Sequence, residues 1–338
     1  MNLYILLASL SLCLILGSCL LVREAPIPQP TPTALPTATP VPKTFRIVGY
    51  TPDWDTVVEE VQFDKLTHVN YAFLLPKSDG TFKEVANPQK LRDIVTQAHA
   101  QGVQVLISVG GWGYDEQFET LATDPKKRST FVDGLCRYVN NYTLDGADID
   151  WEYPDRGDSA RNFLGLMQEL RAALPPGKLL TSAVVASGAL AEGIPSEVFA
   201  LVDFLNIMAY DGSETDHSPY GYAEQAMDYW QKLGLPPEKM VLGVPFYSRP
   251  GEMPYRMLVQ ADPAAAYQDK IDYGGNLEYY NGIATIQRKT QLAMQRGSGI
   301  MIWELAQDST DATSLLNAIY QTVHGTPRPF YPAPTPGN

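Results

Sequence analysis

Eight short apolar runs rich in β-branched residues recur along this chain, and that repetition limits its fold more than any other feature. They are Phe45–Tyr50, Leu66–Phe73, Val103–Gly110, Leu144–Glu152, Leu179–Val185, Phe204–Tyr210, Met240–Phe246 and Gly299–Glu304. Between and after them, apolar positions spaced three and four apart predict helices over Pro88–Gln101, Pro125–Asn140, Ser159–Leu174, Gly221–Leu233, Ile283–Arg296 and Thr310–Thr322. Strand–helix alternation specifies a parallel sheet, because a parallel neighbour is reached only through a crossover long enough to hold a helix. Strands that are apolar almost throughout must be covered on both faces. Eight such units favour a single α/β domain closed as a (β/α)8 TIM barrel over an open doubly wound sheet. No glycine-rich phosphate loop follows the first run, which counts against a dinucleotide-binding fold.

The fourth run adds a chemical constraint. In Asp145-Gly146-Ala147-Asp148-Ile149-Asp150-Trp151-Glu152-Tyr153-Pro154, an extended chain points Asp148, Asp150 and Glu152 to one face and Ile149 and Trp151 to the other. Ionised carboxylates crowded into a low-dielectric interior repel, so at least one must hold a proton near neutral pH. No Lys or Arg between Tyr138 and Tyr153 is available to neutralise them locally. A solvated acidic edge strand does not fit the interleaved apolar residues, and the trio reads instead as a paired-carboxylate acid/base site. Barrels carry their active sites at the C-terminal ends of the strands. The last positions of the runs collect Tyr50, Phe73, Gly110-Gly111-Trp112, Glu152, Tyr210-Asp211, Tyr247 with Arg249, and Trp303-Glu304.

With those residues placed, the chain resembles family 18 of the glycoside hydrolases, the chitinase family. The stretch from Asp145 to Pro154 is similar to its DxxDxDxE signature, and Ser108-Val109-Gly110-Gly111-Trp112 to its third-strand SxGG motif. Met208-Ala209-Tyr210-Asp211 is similar to its sixth-strand MxYD motif, and Ile302-Trp303-Glu304 to its eighth-strand tryptophan region. The likeness covers nearly all of residues 45–322. It implies hydrolysis of β-1,4-linked N-acetylglucosamine glycans, chitin or chito-oligosaccharides, with retention, the substrate's own 2-acetamido oxygen acting as nucleophile. It implies Glu152 as general acid/base, Asp150 as the group that orients the acetamido N–H and stabilises an oxazolinium intermediate, and Asp148 as its proton-sharing partner. Tyr210 would donate to the acetamido oxygen, and Trp303 would floor the subsite. Asp211, Met208, Tyr247 and Arg249 would line the pocket. Trp112, Phe73 and Tyr50 are wall candidates that plain packing explains equally well. Asp145, of the other parity, would support the turn, and Gly110-Gly111 would allow close backbone packing. Only Tyr247 to Gly299 separates the seventh and eighth runs, so the small α+β domain that many relatives insert there is expected to be absent. That implies an open groove and endo-acting cleavage or short oligosaccharides. An endo-β-N-acetylglucosaminidase acting on N-glycans or peptidoglycan stays open, as does a non-catalytic chitin-binding lectin, against which the intact Glu152 counts.

The chain ends read differently from the barrel. Residues 1–18 resemble a lipoprotein-type signal peptide, with Leu16-Gly17-Ser18 leading into Cys19 as the lipidated residue. No Lys or Arg precedes Arg23, so an uncleaved anchor is the alternative. Residues 19–43 form a Pro/Thr-rich linker, with seven prolines and no aromatic residue from Ala25 to Pro42, and such a segment stays extended. The barrel is expected over 44–325 and a Pro-rich tail over 326–338. The protein is therefore expected to be exported and held at a membrane through Cys19 alone, or secreted. A net charge of −13 disfavours nucleic acid and anionic surfaces and suits a neutral glycan. Of three cysteines only Cys136 lies in the expected fold, where one thiol makes no internal disulfide and reads as a buried apolar filler. His68, His99, His217 and His324 have no metal-ligand spacing, so neither zinc nor another cofactor is expected. A monomer is expected.

Overall fold

The computed structural model describes residues 45–325. The expectations for the signal, Cys19, the linker and the C-terminal tail lie outside the described residues. Eight parallel strands close into a barrel: β1 Arg46–Pro52, β2 His68–Leu74, β3 Gln104–Gly110, β4 Gly146–Asp150, β5 Leu179–Val185, β6 Phe204–Met208, β7 Met240–Pro245 and, last in the chain, Gly299–Trp303. Each strand pairs with the next, and the last, β10, closes between β7 and β1. In the interval before it, β8 Lys270–Tyr273 and β9 Asn276–Tyr279 pair antiparallel with each other only.

Strand parity divides the core in two. On β1, Ile47 faces the helical layer while Val48 and Tyr50 face the lumen, and on β10 Ile300 and Ile302 face out while Met301 faces in. The lumen is filled by Val48, Tyr50, Ala72, Ala183, Phe204, Met208, Val241 and Met301. On β4 the same alternation sends Ala147 and Ile149 into the outer core and leaves Asp148 and Asp150 inside. Trp151 follows the outward side. Its ring stacks on Phe118 with centroids 5.1 Å apart and meets Phe163 edge-on at 5.8 Å. Such aromatic pairs contribute about 0.5–1.5 kcal/mol beyond their buried area.

The helices are α1 Pro88–Ala100, α2 Asp115–Thr123, α3 Pro125–Asn141, α4 Asp158–Ala173, α5 Val198–Leu201, α6 Tyr220–Lys232, α7 Tyr255–Ala261, α8 Ile283–Arg296 and α9 Leu315–His324. Two start signals are local: Asn87 and Asp124 accept from backbone N–H groups of the turns they precede, each followed by proline at the first helical position. The run expected over Thr310–Thr322 begins only at Leu315, where Ser314 caps it and the buried Asp308 carboxylate accepts from Leu315 N and Leu316 N.

Two expectations are corrected and a third is filled in. The fourth strand stops at Asp150, not Glu152, because its pairing with β3 ends at Gly110 opposite Asp150. The interval between the seventh and eighth barrel strands holds no separate domain but is not bare connection either. It builds α7 and the β8–β9 hairpin, whose Gly274-Gly275 turn has φ of 63° and 86°, a conformation that glycine adopts freely. Cys136 is half-buried on α3 rather than fully interior.

Candidate active site

Asp148 sits in the lumen with every acceptor position occupied. Its Oδ2 accepts from the Tyr50 hydroxyl at 2.7 Å and Ser108 Oγ at 2.8 Å, and its Oδ1 from Thr181 Oγ1 at 2.6 Å and Asn206 Nδ2 at 3.2 Å. Strand register makes this shell, since Ser108 on β3 and Thr181 on β5 are the direct neighbours of Asp148. Burial pushes the Asp148 carboxyl up, and these four donors pull it back. Asp150 has no such support: its Oδ1 is buried without a partner. Burial first, then the charges of Glu152 and Asp148, drive its carboxyl well above the ordinary range. Both carboxyls are raised by burial, Asp150 the further of the two, so Asp150 is the one that takes up a proton first. The expected sharing is not a direct bond here, because Asp148 spends its oxygens on four other donors.

Glu152 lies just past the strand end and is half-buried. Burial raises its carboxyl to about 6, with Tyr153 lowering it through a hydrogen bond and the charge of Asp211 raising it. A carboxyl at that level is a general acid still protonated in mildly acidic water. Tyr210, two residues past β6, is pushed far above its usual value by burial and keeps its proton near the charges of Asp150 and Glu152, its hydroxyl reaching Met301 Sδ at 3.9 Å. The peptide bonds Ala72–Phe73, Glu152–Tyr153 and Trp303–Glu304 are cis.

Asp211 adopts φ 56° beside Tyr210 and gathers three partners. The Tyr247 hydroxyl donates to Oδ2 at 2.7 Å, Arg249 Nε donates to Oδ1 at 2.8 Å, and His217 Nδ1 lies 3.0 Å from Oδ1. Burial works to raise this carboxyl, but the bonds from His217, Arg249 and Tyr247 hold it well below the ordinary range. It stays anionic beside Glu152.

A row of rings forms the adjacent wall. Trp303 stacks on Phe73 with centroids 5.6 Å apart, and Phe73 meets Trp54 at 6.4 Å. Trp303 and Phe73 are half-buried, while Trp54 is 65% exposed. Trp112 is 81% exposed at the end of β3. The two glycines before it have φ of 109° and 86°, and side chains there would strike the Asp150 carbonyl and the Phe73 ring. Tyr50 does not reach the groove. It is 1% exposed, packs against Trp303 at 5.6 Å from below and spends its hydroxyl on Asp148. Met208 and Tyr247 are mostly buried as well, so each presents only an edge. Asp145 accepts from Val105 N and contacts His99 Nε2, both at 2.8 Å, at the opposite end of β4 from Glu152.

Sequence reasoning missed Trp54, the donors Thr181 and Asn206, and His217. Trp54 stands beyond the first run in a loop with no motif of its own. Thr181 and Asn206 look like ordinary polar residues in apolar strands, and only the barrel register brings them to Asp148. Among the described residues no group of three or more His, Cys, Asp or Glu is placed to hold a metal ion.

Residues 46–308 match the sequence profile of Glycosyl hydrolases family 18. A chitinase from the chitin utilization locus of Flavobacterium johnsoniae superposes with a TM-score of 0.74 at 32% identity, over 83% of this chain and 94% of that one. A Bacteroides thetaiotaomicron chitinase gives 0.76 at 28% identity, over 83% and 97%. A chitinase-like effector of Moniliophthora roreri is 33% identical over 231 residues, 59% of this chain and 57% of its own length. An endochitinase of Manduca sexta is 29% identical over 250 residues, 60% and 45%. The chain spans about half the length of these last two relatives. The carboxylate column on the fourth strand and the profile spanning the barrel converge: this chain belongs to family 18 of the glycosyl hydrolases.

Proposed function

We propose that this enzyme cleaves β-1,4-linked N-acetylglucosamine chains, of the chitin or chito-oligosaccharide type, with retention and with the substrate's acetamido group as nucleophile. The observation that carries the reading is the arrangement at one strand end: Asp148 enclosed by four donors, Asp150 buried with its Oδ1 unpartnered, and Glu152 raised to about 6 at the mouth. No second carboxylate is presented freely to a sugar carbon, because Asp150 is buried and Asp211 is already engaged by Tyr247 and Arg249.

In the first step Glu152 gives its proton to the glycosidic oxygen, the C1–O bond breaks, and the acetamido carbonyl oxygen closes on C1 to form an oxazolinium ion. Tyr210 donates to that oxygen and holds it in line for attack. Asp150 accepts the acetamido N–H on its carboxyl oxygen, beside the developing cation. In the second step the Glu152 carboxylate takes a proton from water, which adds to C1 and reopens the ring with the original configuration. Trp303 floors the reacting sugar, and Phe73 and Trp54 continue the stacking surface outward. A wall of aromatic rings suits the flat, apolar faces of a neutral sugar.

A side-by-side product profile on chitin oligomers, peptidoglycan and a high-mannose glycan tests the substrate. Cleavage of the chitin series alone is the expected result. Release of the high-mannose chain, or of muropeptides in preference, would replace chitin with that glycan, and binding without any turnover would make the protein a lectin. We also propose that Cys19 carries a lipid and tethers the barrel at the cell surface, on the strength of Leu16-Gly17-Ser18-Cys19 and the proline-rich spacer behind it. Palmitate labelling lost in Cys19→Ala is the expected result, and an unlabelled, freely secreted wild type would refute it.

A further inference from the structure

We propose that Glu278, on the β8–β9 hairpin, is a positioning residue for catalysis, seating the loop from Ser248 to Gly251 so that Arg249 stays on Asp211 beside the acid pair. The inference deepens the reading of Glu152 as the acid and rests on it.

Glu278 is 2% exposed. Its Oε2 accepts from Ser248 Oγ at 2.6 Å and from Gly251 N at 2.9 Å, and a side chain at position 251 would run into its carboxylate. The next hairpin residue, Tyr279, exchanges both backbone bonds with Arg249, at 2.9 and 2.7 Å. Two successive residues of one strand therefore clasp both sides of Arg249. Ser248 closes the same loop by bonding Met253 through backbone and hydroxyl. A carboxylate makes both of its bonds charge-assisted, roughly twice as strong as neutral ones. Its removal leaves Ser248 Oγ and Gly251 N without their acceptor.

The clasp leads to the acid through one further link. Arg249 neutralises Asp211, and the charge of Asp211 raises Glu152. The other titratable groups facing Glu152 are Asp150 on β4, its neighbour Tyr153, and Tyr210 past the end of β6; Tyr247 and His217 hold Asp211, and Glu252 of the same loop shares Arg249 with it. A loosened loop leaves Asp211 less compensated, so Glu152 holds its proton to higher pH.

The test compares pH profiles of kcat/KM on a chromogenic chitobioside, with thermal unfolding, for wild type, Glu278→Ala, Glu278→Gln, Arg249→Ala and the Glu278→Ala/Arg249→Ala double variant. Glu278→Ala and Arg249→Ala are each expected to lower kcat/KM by roughly tenfold or more and to move the basic limb up by about half a pH unit. The double variant should fall no lower than Arg249→Ala, since the two act through one contact, and Glu278→Gln should lie between. An unmoved limb in Glu278→Ala, or an additive double variant, would overturn the proposal and leave a purely structural residue. A wild type that turns over no glycan would instead sink the functional reading. In that case carbon-detected NMR titration of Glu152 decides, an upward shift in Glu278→Ala supporting the clasp and no shift overturning it.

Discussion

Glu152 is tuned by what surrounds it more than by its own position. Burial lifts its carboxyl, Asp211 adds to the lift, and Tyr153 restrains it, with a net value of about 6. The acid must be protonated to act, so kcat/KM should fall as pH rises through about 6, and Glu152→Gln should lose on the order of 10³-fold in turnover while still binding glycan. Undiminished hydrolysis by that variant would remove Glu152 from its role. The carboxylate trio was legible in the sequence because two-residue spacing and strand parity suffice to group it. The difference between Asp148 and Asp150 was not. It comes from Tyr50, Ser108, Thr181 and Asn206, which lie on four strands and meet one carboxylate only when the barrel closes. Tyr50 shows the limit of rim reasoning: an aromatic near a strand end read as a wall candidate, yet its hydroxyl points inward.

At the scale of elements, the catalytic strand depends on how closely β4 approaches β5. Gly146 opens β4, and a Cβ there would overlap the Leu179 carbonyl oxygen, which belongs to the paired backbone and has little room to move. Gly146→Ala is expected to destabilise the fold by about 1–3 kcal/mol through forced displacement of that pairing. It should also cost activity, because Asp148 and Asp150 hang from the same strand. Unchanged thermal unfolding would show that the pairing yields without penalty. The barrel strands were readable because burial on both faces leaves them apolar throughout. Short elements were not: α2, α7 and the β8–β9 hairpin carry too few residues for periodicity to separate helix from loop. Gly274-Gly275 was the local sign of the hairpin, and it belongs to a segment that motif reasoning treated only as a missing domain.

Across the whole molecule, several buried acids act on stability together. Glu304 is raised to about 7 and Asp308 to about 6, each chiefly by burial. A carboxyl whose folded value lies above its unfolded one binds a proton in the fold that the open chain has released. Its contribution is in place at low pH and is lost as pH rises through the folded value. His68, lowered by burial to about 4, works the other way across nearly the same range. Lys289, lowered by burial to about 7, costs stability below that pH and relieves the cost above it. A single variant isolates one of these groups. Glu304→Gln keeps an acceptor for Ala306 N but removes the charge, so relative to wild type it should gain on the order of 2 kcal/mol, or about 5 °C, between pH 5 and pH 8. Parallel melting curves for the two proteins across that range would contradict this.

The five tryptophans of the chain are sorted by depth. Trp151 and Trp230 are sealed in the core, Trp303 is half-covered at the groove floor, and Trp54 and Trp112 stand open at the rim. Indole emission moves to the red in water and to the blue in apolar surroundings. The protein therefore carries two sets of built-in optical reporters, one silent until the core opens and one that responds when a ligand covers the groove.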